Sequence, residues 1–155
     1  MEINQIAKVE DLIRQLHFSE ALEELQSWKL ENDQDKRIML HLTGVTNIHQ
    51  GDLNAAKSTL LNAYNSYGEN ISLIRDIACL YYQTGEMTQW REWYRKLERK
   101  VLEHQAVLSL DALVKAWVVL GKFYEAEGFE TKALSVFMKT YDRLKTENRS
   151  DLYYL

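Results

Sequence analysis

Gly51 and Gly85 stand 34 residues apart, and most of the chain can be laid on that interval. With Gly128 at the same position of a later unit, Gly44, Ala78 and Gly121 fall seven residues before the glycine. Ala56 and Ala133 fall five after it, Leu60, Tyr94 and Phe137 nine after it, and Tyr81 and Tyr124 four before it. A helical pattern with this period describes a repeated helix–turn–helix. The corner glycine takes the left-handed backbone that ends one helix before the next begins. Small residues within the two helices let their backbones approach, and larger side chains fill the flanks. A single hairpin cannot bury its apolar face alone, so neighbouring hairpins stack and share a core. No segment alternates apolar and polar residues with flanking turn signals, so no strands are expected.

The last unit carries the clearest signature. Trp117-Val118-Val119-Leu120-Gly121-Lys122-Phe123-Tyr124, followed by Gly128, Ala133 and Phe137, resembles the tetratricopeptide repeat (TPR) family, whose pattern is W-x2-L-G-x2-Y … A-x3-F. A second unit fits through Leu40, Gly44, Gly51, Ala56, Leu60 and Ala63, and a third through Ala78, Tyr81, Gly85 and Tyr94. In the third unit Trp90 stands where the family has alanine, so either that hairpin is splayed or Trp90 points elsewhere. The first unit is degenerate: Ala21 and Leu25 align, but Leu16 replaces the corner glycine. The family's closing proline is absent throughout, since the chain contains none. The resemblance implies an all-α, right-handed superhelix, an α-solenoid of about four antiparallel helix pairs. A single domain, 1–155, is expected, with units at about 2–35, 37–70, 71–108 and 114–147.

From Gly85 to Gly128 is 43 residues, nine more than one unit. Trp90, Trp93, Tyr94, Leu97 and Val101 keep helical spacing across the excess, which predicts a lengthened helix over about 88–102. Ser109 then caps the helix that carries Trp117. Arg91, Arg95, Lys96, Arg99 and Lys100 read as the charged outer face of that long helix, because every aromatic there lies on one stripe. After about Lys145, Ser150 or Asp151 is placed to start a further helix, with Leu152, Tyr153, Tyr154 and Leu155 as its first apolar turn. A solenoid end wants a polar-faced cap. The expectation is therefore a chain cut as another helix begins, and the alternative is an apolar tail folded over the last hairpin. Tyr153, Tyr154 and Leu155 are also candidates for self-association.

Chemistry is hard to find. There is no glycine-rich phosphate loop and no paired-cysteine or H-E-x-x-H metal signature. His41 and His49 lie eight residues apart on a helix, about 12 Å in rise, too far to share one metal ion. Cys79 lies mid-helix without the context of a thiol nucleophile. The chain is therefore expected to be neither an enzyme nor a holder of metal or cofactor. A net charge of −4 argues against nucleic acid. The longest uninterrupted apolar run, 116–120, is far short of the ~20 residues that span a membrane. One cysteine permits no intrachain disulfide, which fits a reducing cytoplasm.

Function is expected from shape. In the TPR family the first helices of each pair line a concave face along which a peptide lies. Carried over, the inward positions are His41, Val45 and His49 in the second unit, with Ile38 and Ile48 beside them. They are Arg75, Cys79 and Tyr82 in the third, and Lys115, Val118 and Lys122 in the fourth. Arg75, Lys115 and Lys122 are expected to receive carboxylates, and Val45, Tyr82 and Val118 apolar side chains, so the partner is a protein segment with acidic and apolar residues. The family's lysine–asparagine clamp for a free C-terminal carboxylate is not reproduced. The leading expectation is a non-catalytic protein-interaction module forming the N-terminal scaffold or sensing domain of a larger cytoplasmic protein. The alternatives are a stand-alone TPR chaperone for a secreted client and a regulatory domain fused to a catalytic or DNA-binding domain beyond Leu155.

Overall fold

The computed structural model describes residues 3–149, so the segment from Ser150 to Leu155, with its expected further helix, lies outside the described residues. Eight helices follow one another among the described residues: α1 (Ile3–Arg14), α2 (Phe18–Gln26), α3 (Asp33–Gln50), α4 (Leu53–Tyr67), α5 (Ile71–Gln83), α6 (Met87–His104), α7 (Leu110–Ala126) and α8 (Glu130–Thr146). No strand occurs among these residues. Consecutive helices pack as antiparallel pairs, α1 with α2, α3 with α4, α5 with α6 and α7 with α8, and the pairs stack into a solenoid.

Local chemistry sets the helix ends. Asn32, Asp52, Asn70 and Ser109 are N-caps whose side chains accept the backbone N–H of Asp35, Ala55, Leu73 and Ala112. The corner after α3 is Gly51, at φ 85°, where a Cβ would be strained. In the first pair the same corner is made by Leu16 at φ 64°. That backbone costs a leucine what it would not cost a glycine. The nine extra residues are shared among α6, 18 residues against 15 in α4, the connection 105–109, and α7, 17 residues against 13 in α5.

Small residues mark where helices meet most closely. A Cβ on Gly44 would lie 2.4 Å from Leu60 Cδ2, and one on Gly121 would lie 2.4 Å from Phe137 Cε1. Leu60 is fully buried. Trp90 is also fully buried and does not splay its pair. Its ring lies 5.0 Å from Tyr82, 5.3 Å from Tyr94 and 5.4 Å from Phe123, so it fills the junction between α5, α6 and α7. Inter-unit ion pairs reinforce the stack: Lys57 on α4 reaches Glu86, and Arg91 on α6 reaches Glu127. One core runs through the second to fourth pairs, and a second joins Val9, Ile13, Ala21, Leu25 and Trp28 to α3.

Candidate functional site

The first helices of the pairs enclose a groove of about 1000 Å³. Its wall begins with Ile6, Glu10, Ile13 and Arg14 on α1, continues along α3 and α5, and ends with Asp111, Ala112 and Lys115 on α7. The aliphatic part comes from α3, where Ile38, Leu42, Val45 and Ile48 recur at helical spacing and stay half-buried. These side chains present part of their apolar surface to the groove.

Six of the nine residues inferred for the concave face line this groove: His41, Val45, His49, Arg75, Cys79 and Lys115. The other three are placed elsewhere. Tyr82 is exposed at one edge but lays its ring against Trp90 and Phe123, which draws it to the α5–α6–α7 junction. Val118 packs with Val114, Leu110 and Leu144 at the far end of the stack. Lys122 is exposed beyond the groove lining, close enough to Cys79 to favour its thiolate electrostatically.

A residue that the repeat frame leaves out occupies the centre. Asp76 is held by two groove residues, with His41 Nε2 2.7 Å from Asp76 Oδ2 and Arg75 Nη2 2.8 Å from Asp76 Oδ1. All three side chains are more than four-fifths buried. Burial opposes ionisation of Asp76, but the hydrogen bond from His41 and the charge of Arg75 hold its carboxyl below the usual carboxylate range. Asp76 is therefore the acceptor and His41 Nε2–H the donor. Arg75, expected to receive a partner's carboxylate, is already occupied by one of its own chain. Lys115 differs: its pair with Asp111, at 2.9 Å, is largely solvated on both sides and readily exchanged.

The same cluster governs Cys79. Burial, reinforced by the nearby Asp76 charge, pushes its thiol up to about 11, against the attraction of Arg75 and Lys122. A thiol so disposed is protonated at neutral pH and is a poor nucleophile. Among the described residues no three His, Cys, Asp or Glu side chains converge as metal ligands. No helix among them is long and apolar enough to cross a membrane.

The long basic helix resolves as a charged outer face. Arg91 pairs with Glu127, Lys100 with Glu69 and Lys96 with Glu92, while Lys96 also sits 4.2 Å over the Trp93 ring. What repeat reasoning missed is the contribution of α1, whose degenerate unit has no corner glycine to fix its register. Ile6, Val9 and Ile13 still show the helical spacing of a packed face.

No protein-family model matches the chain, and no curated protein matches it in sequence. Among solved structures the chain is similar to the crystal structure of MamA, with a TM-score of 0.64 and 16% sequence identity, over 94% of this chain and 79% of that one. At that identity the likeness speaks for the fold, a TPR-type helical solenoid.

Proposed function

We propose that this protein is a non-catalytic interaction module that binds a segment of another polypeptide along the groove between its first helices. The observation that carries the reading is the stripe Ile38, Leu42, Val45 and Ile48, half-buried on the wall of an open, continuous groove with room for a peptide. Apolar side chains of the partner lie on that stripe. Acidic residues of the partner meet Lys115, whose pair with Asp111 is open to solvent, and, at the exit, the exposed Lys122. The buried His41–Asp76–Arg75 cluster supplies a fixed floor between these two regions rather than a point of exchange. The raised Cys79 thiol favours binding over chemistry. A single half-buried cysteine suits a reducing, cytoplasmic setting.

Selection from a displayed random peptide library tests this reading. The wild-type chain is expected to enrich peptides combining aliphatic and acidic residues. The Val45→Asp/Lys122→Glu variant, its helicity checked by circular dichroism, is expected to lose them by at least about tenfold, because paired changes exceed what one rim charge costs. Equal enrichment by both chains would remove the groove as the binding site.

A further inference from the structure

We propose that α8 is a self-complementary surface that pairs two copies of this chain. The first observation is a break in the pattern of inter-unit ion pairs. Six residues after the corner glycine, the second unit has Lys57 and the third has Arg91. Each reaches a glutamate at the next unit's corner, Glu86 and Glu127 respectively. The same position in the fourth unit is Leu134, which is 61% exposed. The cation of the earlier units is thus replaced on α8 by exposed apolar surface.

The second observation is what surrounds Leu134. Met138 is 57% and Tyr141 55% exposed, one and two turns further along. At 3.6 residues per turn Glu130, Leu134, Met138, Tyr141 and Lys145 share one face of α8. The apolar stripe thus has an acid at its N-terminal end and a base at its C-terminal end. Neither Glu130 nor Lys145 makes an ion pair among the described residues. A second copy laid antiparallel about a two-fold axis near Met138 brings this face against itself in register. Leu134 of each copy meets Tyr141 of the other, and Met138 meets Met138. Glu130 of each faces Lys145 of the other, twice over by symmetry. The interface is isologous, which is how closed dimers form, and the two helix dipoles run in opposition. The shallow depression beside the stripe, floored by Trp117 and edged by Ser135 and Asp142, gives the opposing side chains room to settle. The surface is on the opposite helix of its pair from the groove wall, so dimerisation leaves the groove open.

One helix face is at the small end of specific interfaces, so a dissociation constant on the order of 100 µM is expected. Sedimentation equilibrium of the full chain between about 10 µM and about 1 mM measures it directly. Met138→Glu is expected to weaken the dimer by at least about tenfold, by placing two like charges at the axis. Glu130→Lys alone also weakens it, and Glu130→Lys/Lys145→Glu restores it, because the exchange keeps each end opposite its complement. In a Cys79→Ser background, Met138→Cys is expected to form a disulfide-linked dimer under mild oxidation, whereas Thr88→Cys on α6 is not. A chain that stays monomeric at the highest concentration overturns the proposal. So does a dimer that Met138→Glu leaves intact, which would assign association to another surface such as residues 152–155.

Discussion

Replacing Gly44 by alanine probes the packing on which the repeat depends. In an isolated helix the change is favourable, since alanine stabilises a helix interior by about 1 kcal/mol over glycine. Here the added Cβ would lie 2.4 Å from Leu60 Cδ2 and 2.6 Å from its Cγ, with the Ala56 carbonyl oxygen at 3.6 Å. Carbon atoms rest about 3.5–4.0 Å apart, so Leu60 must withdraw by roughly 1 Å, and it is fully buried. Overpacking of this kind costs about 1–3 kcal/mol, which overtakes the helix gain and leaves a net loss of about 1 kcal/mol. The sign is the test. In a Leu60→Ala background the obstruction is gone, and Gly44→Ala is expected to stabilise by about 1 kcal/mol. Urea unfolding followed by circular dichroism, at matched m-values, reads all four corners of this cycle. The same sign of Gly44→Ala in both backgrounds would refute the claim that close helix approach is why this position is small.

The Asp76 cluster predicts a pH dependence. Because the folded carboxyl is held below its unfolded value, the cluster stabilises the fold above about pH 4 and loses that contribution as pH falls through the folded pKa. Asp76→Asn is therefore expected to cost about 2 kcal/mol or more near pH 7 by stranding Arg75, with the gap to wild type narrowing toward pH 3. A gap that is constant with pH in urea titrations would contradict the ionised assignment. Leu16→Gly relieves the left-handed backbone at an exposed corner and is expected to raise stability by about 1 kcal/mol, read as a higher melting temperature. A lower melting temperature would show that Leu16 contributes more through its contacts than it costs in strain.

Much of the architecture was legible because it rests on short-range rules. The 34-residue interval, the small residues at 44, 78 and 121 and the corner glycines each report a local steric demand, and together they specify stacked helical pairs. Ser109 as a cap and the lengthened α6 follow from equally local chemistry. Trp90 was readable only as an irregularity. Whether it opened its own pair or filled the space before the next depended on Phe123, a residue 33 positions away that no local pattern connects to it. Six of the nine inferred positions line the groove and three do not, for one physical reason. A repeat frame says which way a position points but not what a neighbouring side chain does with its charge. Arg75 points into the groove as the frame implies, yet Asp76, one residue on, takes its guanidinium and the His41 imidazole together. Tyr82 and Val118 are diverted similarly, by apolar neighbours that offer better burial than the groove. The degenerate first unit still supplies a wall of the groove, because Ile6 and Ile13 need only helical spacing to present a face.

The claim on which the functional account rests is that a partner lies between the first helices rather than on the outer face of the stack. A photo-activatable cross-linking residue placed at Val45, and separately at Leu102, which is 64% exposed on α6, tests it in the presence of a selected peptide. Peptide adducts are expected from position 45 and none above background from position 102. Adducts from position 102 with none from position 45 would contradict it.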